Sequence, residues 1–341
     1  MKLKFKISKL ANYHFFIDNL SERKPYMRHQ YNYAWLKEVG PLTPQEIKAL
    51  KEWSTLCNQI EQQKKLKEFI QYFYKYNTLS LALNRIIKDF DKKTAKITKG
   101  AFQVFNKKFE IIWSNSNIIL RKNKAFLERD FKNVRANLNY DLVVLKNLYQ
   151  VKTIPSSINV FLILAPLIYG QGGRSINATT IAVEFNLLSP NNNEQLEKAW
   201  HLVLHELTHS LFESQQYKAK IKNYIKSKKD LNFPIAKKLN LSEVMRECIM
   251  QSFLIFLNPN GLRNKGDIYK VINKKYFQEK IQDKNALKKV LFKIDFIKNF
   301  TAWKLKKTSQ TYISQQKSID AYFIKRTFDI LRYYPNNLLH L

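Results

Sequence analysis

The residues with recognisable chemistry lie in one short stretch, WHLVLHELTHSLF, from Trp200 to Phe212. Within it, His205, Glu206 and His209 form the pattern H-E-x-x-H. On a helix, two histidines four residues apart project from one face, so both can bind a single metal ion. Glu206 follows about 100° around the helix, where its carboxylate can reach a water molecule on that metal. Because imidazole is a standard zinc ligand and zinc lowers the pKa of bound water, the pattern predicts zinc-dependent hydrolysis, with Glu206 as the proton acceptor.

The pattern is specific for a chain with so few histidines. The chain has 6 His in 341 residues, and a match of this form is expected by chance only ~0.005 times. His201 extends the row by one further helical turn. We interpret it as a partly buried neighbour of the site rather than as a ligand.

The surrounding sequence predicts the elements that hold these side chains. The segment Ile158–Pro166 is apolar and β-branched, which is typical of a buried strand, and Thr179–Phe185 has the pattern of a second strand. The glycine-rich segment Tyr169–Ser175 between them is expected to be a loop. An amphipathic helix is predicted from Glu194 to about Ser214, with Asn193 as its N-cap.

At these residues the chain resembles the zincin metallopeptidases, because VLHELTHSLF is similar to their active-site helix. The resemblance covers about residues 158–257. It implies an α+β fold: a zincin-like core of a small mixed sheet and an active-site helix, with a helical N-terminal region and a helical C-terminal tail. It also implies hydrolysis of a peptide or protein substrate with Zn²⁺ as cofactor. In this family the strand before the active-site helix is an edge strand that pairs with an extended peptide, a role for which Thr179–Phe185 is placed. Alternatively, this segment is an ordinary core strand.

A catalytic zinc site needs a third protein ligand and an open position. The residues after His209 contain neither the Gly nor the third His of the metzincin branch. The gluzincin branch takes a Glu from a later helix, and the apolar helix predicted from about Ser242 to Leu257 offers Glu243 and Glu247. By the family's E-x-x-x-D pattern, Glu243 is the ligand and Glu247 orients a ligand histidine. Alternatively, Glu247 is the ligand, followed by the small Cys248, and Glu243 is a first-turn acid.

Other polar residues near the motif receive structural interpretations. Glu213 and Glu184 are interpreted as surface or strand-end acids, and Cys248 as a small buried hydrophobe. Peptide hydrolysis also needs a group that stabilises the oxyanion. The sequence does not select among six candidates for this role: Tyr169, Arg174, Tyr269, Tyr276, Tyr312 and Tyr322.

The rest of the chain is expected to be mainly helical. Residues 1–150 are predicted to form a mostly helical N-terminal region, and residues 151–341 the zincin-like domain with its helical C-terminal part. A helix start is encoded by Thr43 as N-cap, Pro44 as the first helical residue and Glu46 three residues after the cap. An isolated His14 is expected to be a surface or core residue rather than a ligand.

Composition and charge restrict the remaining function classes. Lys and Arg number 59 against 27 Asp and Glu, a formal net charge of +32, and there are only 2 Cys. Two cysteines exclude a disulfide framework. The longest apolar stretch is too short to span a bilayer and no secretory signal is recognisable, so a cytoplasmic location is expected. The charge predicts weak association with anionic surfaces or nucleic acid.

Two alternatives to a peptidase stay open at this point. One is a non-catalytic protein with a zincin fold, which would bind metal without turnover. The other is a basic nucleic-acid-associated or membrane-associated protein in which H-E-x-x-H is incidental. A lysine-rich composition also arises from an AT-biased coding sequence, so the charge alone does not favour the second alternative.

Overall fold

A computed structural model of the chain describes residues 1–23, 29–166, 172–184, 193–257, 273–281, 291–334 and 338. Over these ranges the protein is mostly helical with one small mixed sheet, which confirms the predicted α+β class. The chain forms two compact units. The first consists of Met1–Lys132 and Pro155–Glu206, and the second of Asn133–Ile154 and Leu207–Leu341.

The first unit contains the sheet. Its strands are β1 (Lys2–Lys6), β2 (Ser157–Ile163), β3 (Gly172–Asn177) and β4 (Thr180–Glu184), in the order β1-β2-β4-β3. Strands β1, β2 and β4 run parallel, whereas β3 is an edge strand antiparallel to β4. Strands β2 and β4 are buried along most of their length, as their apolar, β-branched sequences favour.

Two expectations about this sheet are wrong. The strand predicted at Thr179–Phe185 exists as β4, but it is hydrogen-bonded on both sides and is not the edge strand. The predicted loop Tyr169–Ser175 is a strand from Gly172 onward, and its first three residues lie outside the described part of the chain. Glycine is depleted in strands, which is why the pattern favoured a loop. Glycine in a strand marks a place where another group approaches closely.

Strand β1 was not predicted. Its residues alternate between exposed lysines and the buried side chains of Leu3 and Phe5. This alternation is the pattern of a strand with one buried face, but it is only five residues long. Its pairing with β2, far along the chain, is what stabilises it.

The helices of the first unit are α1 (Lys9–Leu20), α2 (His29–Val39), α3 (Pro44–Gln62), α4 (Leu66–Lys75), α5 (Leu79–Asp89) and the first part of α6 (Lys92–Tyr149). The predicted start of α3 is confirmed: Thr43 accepts a hydrogen bond from the Glu46 N–H, and the Glu46 carboxylate accepts one from the Thr43 N–H at 2.7 Å. His14 on α1 is a core residue.

Helix α7 (Asn193–Leu211) begins in the first unit and ends in the second. It ends before the predicted Ser214 because Ser214 caps the next helix, accepting a hydrogen bond from the Tyr217 N–H. The later helices are α8 (Gln215–Lys226), α9 (Pro234–Lys238), α10 (Leu241–Leu254), α11 (Lys274–Lys280), α12 (Ile294–Ser314) and α13 (Ala321–Arg332).

Helix α10 packs against α12 and α13 in the second unit. Aromatic rings fill this core, including a stacked pair of Phe253 and Phe323 with ring centroids 4.8 Å apart. Within the part of the chain that the structure describes, no helix is long and apolar enough to cross a membrane.

Candidate metal centre

Helix α7 positions both histidines of the motif. Its core-facing side chains are buried: Leu196, Ala199, Trp200, Val203, Leu204 and Leu207. Trp200 also donates a hydrogen bond from its indole N–H to Asp130 on α6 at 2.7 Å. His205 and His209 lie one turn apart on a side of the helix that is mostly but not completely covered. His201, one turn earlier, is half-buried.

The third member of the cluster is Glu247 on α10. Its Oε1 lies 3.0 Å from Nε2 of His209. His205, His209 and Glu247 each offer one ligand atom, and these atoms all lie within 4.8 Å of one another. Donors about 2.0–2.1 Å from a tetrahedral zinc ion lie about 3.3–3.4 Å apart. The residue types fit a zinc site, and small side-chain movements would bring the three donor atoms to that spacing.

Glu243 does not join this cluster. It is exposed in the first turn of α10, and its backbone N–H donates to the side chain of the N-cap Asn240 at 3.3 Å. Glu243 and Glu247 are one helical turn apart, about 6 Å along the axis, so only one of them can lie beside His209. Of the two glutamates that the sequence offered as ligands, Glu247 lies beside the histidines and Glu243 does not.

Glu213 holds the other nitrogen of His209. Its Oε2 lies 3.1 Å from Nδ1 of His209, and the guanidinium of Arg246 pairs with the same oxygen. The interpretation of Glu213 as a surface acid is wrong, because its side chain is only 1% exposed. The available signal was its spacing: Glu213 follows His209 by four residues, as His209 follows His205.

Glu213 and Glu247 together determine the charge of His209. Burial lowers the pKa of His209, but hydrogen bonds with Glu213 and Glu247 outweigh this effect and raise the pKa to about 10. A proton therefore lies between the imidazole and its carboxylate partners at neutral pH. A metal ion that binds here takes the place of a proton.

Lys298 on α12 is a further charged group at Glu247. Its Nζ lies 3.7 Å from Oε2 of Glu247 and 3.0 Å from Oδ1 of Asp295. Burial lowers the pKa of Lys298, but the carboxylates of Asp295 and Glu247 raise it by more. The pKa of Lys298 therefore lies above the usual lysine value. Nothing in the sequence marked Lys298, because its place at the site depends on how α12 packs against α10.

Glu206 lies against the edge strand. Its side chain is buried, and a Cβ atom built on Gly173 of β3 would lie only 2.4 Å from Cγ of Glu206. Position 173 therefore has room for no side chain while Glu206 keeps this position. Oε1 of Glu206 is 4.0 Å from Nε2 of His205. Sequence reasoning treated Gly173 only as part of a loop.

No family model, curated protein or solved structure matches this chain. Any assignment of function therefore rests on the geometry and residue types of the site.

The candidates for oxyanion stabilisation are dispersed. Arg174 pairs with Asp18 of α1 at 3.2 Å, and since successive side chains of a strand point to opposite faces, it points away from the face on which Gly173 meets Glu206. The Tyr312 hydroxyl donates to Asp320 at 2.7 Å. Tyr322 is exposed on α13, and the ring of Tyr276 packs against Phe277. Tyr169 and Tyr269 lie outside the described residues.

Two other residues near the motif have buried positions. Cys248 is fully buried in α10, next to Glu247. Glu184 ends β4 and is buried, and its carboxylate accepts a hydrogen bond from the Tyr31 hydroxyl at 3.1 Å.

Proposed function

We propose that this chain is a zinc-dependent hydrolase that cleaves peptide bonds. In this proposal His205, His209 and Glu247 bind the metal, and Glu206 is the general base. The observation that supports it most strongly is the cluster of two histidines and one carboxylate within 4.8 Å of one another. The helix that carries both histidines also carries Glu206. Three protein ligands of these types, with one position left open, are the ligand set of catalytic zinc.

When bound, Zn²⁺ would supply a lowered pKa for water in the site and polarisation of the scissile carbonyl. The carboxylate of Glu206 would accept the proton from the attacking water and deliver it to the leaving amine. Burial and the close backbone of Gly173 hold this carboxylate in one place, which reduces the entropy lost on reaching the reactive geometry.

Glu213 would orient His209. A metal-binding histidine usually donates its second ring N–H to a carboxylate or carbonyl, which selects the tautomer and the ring orientation. In this structure Nδ1 of His209 faces Glu213, so Nε2 is the nitrogen directed toward Glu247 and the metal position.

The resemblance to the gluzincins is part of this proposal, with Glu247 as the downstream ligand. An extended peptide would pair with β3 rather than with β4, because among the described strands β3 lies at the edge of the sheet that contacts Glu206, whereas β4 is paired on both sides. Main-chain hydrogen bonds at a sheet edge are a recurrent way to hold a peptide. A cytoplasmic location and weak, salt-dependent association with anionic surfaces or nucleic acid remain predictions from composition.

Glu206→Gln tests the proposed chemistry. The amide keeps the shape of the side chain but cannot accept the proton. We expect the variant to keep its zinc, measured by elemental mass spectrometry, and to lose at least about 100-fold in hydrolysis of a fluorescence-quenched peptide library. Full activity in the variant would contradict the mechanism. Zinc in the wild type without turnover of any peptide would favour the non-catalytic alternative.

A further inference from the structure

Six ionisable side chains of the second unit form a connected row. The row runs from Arg246 through Glu213, His209, Glu247 and Lys298 to Asp295. The proposed metal position lies in the middle of this row, where His209 meets Glu247. Lys298 and Asp295 follow Glu247 in this row. They are therefore placed to influence which oxygen of its carboxylate is available to the metal.

The two oxygens of Glu247 have different neighbours. Oε1 faces His209 at 3.0 Å, and Oε2 faces the ammonium group of Lys298 at 3.7 Å. The Lys298 side chain is only 14% exposed, and Asp295, one turn earlier on α12, holds its ammonium group at 3.0 Å. Since α12 packs against α10, the cation is supported by the fold on the side of the carboxylate away from the histidine.

We propose that Lys298 is a positioning residue that makes Glu247 a single-oxygen metal ligand. The inference rests on the proposed function. By pairing with Oε2, the ammonium group leaves only Oε1 for the metal. Two histidines and one oxygen then supply three donor atoms, and the fourth position stays open for substrate or water. Ligation through both oxygens of Glu247 would add a donor atom beside that position and raise the coordination number.

A purely structural role for Lys298 makes a different prediction. Lys298 also balances the charges of two carboxylates, so its loss is expected to lower stability whatever its effect on the metal. Stability therefore does not separate the two roles. The number of donor atoms around the metal separates the two roles, because a lysine that only balances charge does not change that number.

The experiment uses the full chain loaded with Co²⁺, whose visible absorption reports coordination geometry. Four proteins are compared: wild type, Lys298→Met, Lys298→Arg and the control Lys307→Met, which removes an exposed lysine of the same helix. We expect Lys298→Met to keep about one cobalt per chain but to lose about half or more of the visible band, as coordination rises from four to five. Lys298→Arg and Lys307→Met should retain the wild-type spectrum.

A Lys298→Met spectrum identical to that of the wild type overturns the positioning role and leaves the proposed function intact. A wild type that takes up no cobalt overturns both. If Lys298→Met does not fold, as judged by circular dichroism, the double variant with Asp295→Asn provides the same test, because it removes one negative charge together with the cation. The same two spectral outcomes then decide the proposal.

Discussion

Gly173 lies directly against Glu206: a Cβ atom at position 173 would be 2.4 Å from Cγ and 2.6 Å from Oε1 of that carboxylate. Real Cβ atoms do not approach so closely, so any side chain at this position must displace the proposed general base. The edge strand thus contributes to the site through the absence of a side chain. This contact also explains why a glycine is found in a strand at all.

Gly173→Ala is expected to retain the metal and lose hydrolysis. The displaced carboxylate of Glu206 no longer meets the attacking water, and the loss of positioned proton transfer costs about 100-fold or more in kcat/KM. Gly100→Ala is the matched control, because a Cβ at position 100 meets nothing within 4 Å. In helix α6 that change should leave activity unchanged and raise stability by about 0.5–1 kcal/mol. Equal activity of the two variants would contradict the role of Gly173.

The two glutamates of α10 are expected to differ in metal binding. Glu247→Ala removes a carboxylate that lies 3.0 Å from His209, whereas Glu243→Ala removes an exposed one. Titration against a competing chelator should show a loss of zinc affinity of more than about 100-fold for Glu247→Ala, since loss of an outer partner alone costs about 10–100-fold. Glu243→Ala should bind as the wild type does. A comparable loss in Glu243→Ala would return the ligand role to that residue.

The partly buried pair of Glu213 and Arg246 is expected to affect both metal affinity and stability. Glu213→Gln should weaken zinc binding about 10–100-fold, because His209 loses its orienting carboxylate. Arg246→Met leaves the carboxylate buried without its cation and should lower the free energy of unfolding by about 3 kcal/mol.

The exposed pair of Arg332 and Asp230, 3.0 Å apart in the same unit, is the control for this prediction. Arg332→Met should cost less than about 1 kcal/mol, as exposed ion pairs usually do. Combining Glu213→Gln with Arg246→Met should recover part of the stability lost in Arg246→Met, because the uncompensated charge is removed. Equal losses of unfolding free energy in Arg246→Met and Arg332→Met, measured by urea unfolding, would contradict this prediction.

His14 is expected to make the protein sensitive to acid. It is fully buried in α1, and its ring stacks on Phe73 with centroids 4.5 Å apart. Burial lowers its pKa from 6.5 to about 3, against a raising effect of Asp18. As the pH falls below 6.5, the unfolded chain gains a proton that the folded chain does not. Stability should therefore fall by up to about 1.4 kcal/mol per pH unit until the folded pKa is reached.

His14→Phe removes this dependence while keeping an aromatic ring in the core. In urea unfolding measured from pH ~8 to pH ~4, the variant should lose less stability than the wild type below pH ~6. Burial raises the pKa of Asp18, but Arg174 and Arg23 lower it by more. Protonation of Asp18 therefore destabilises both proteins only at still lower pH. Parallel stability curves for the two proteins over this range would show that His14 is not the cause.

Local patterns predicted the elements of the site well. The capping sequence at Thr43 gave the start of α3, and helical spacing gave α7 and α10 to within a few residues. These features depend on hydrogen bonds and side-chain spacing within one turn, which the sequence contains directly. The pattern H-E-x-x-H is local in the same sense, so its helix was predictable.

The rest depends on contacts between distant segments. Whether Glu243 or Glu247 faces His209 is decided by the packing of α10 against the end of α7. Lys298 reaches the site only because α12 lies against α10. Strand β1 is stabilised by its pairing with β2, and the glycine at position 173 is explained by the approach of Glu206. Composition and periodicity do not indicate which distant segments contact one another, so these contacts could not be predicted from the sequence.

We propose that this chain binds one metal ion through His205, His209 and Glu247. Elemental mass spectrometry of the purified, zinc-supplied protein tests it most directly, with His209→Ala beside the wild type and His201→Ala as the control on the same helix. We expect about one zinc per chain in the wild type and in His201→Ala, and almost none in His209→Ala. No zinc in the wild type, or equal zinc in His209→Ala, would contradict the account.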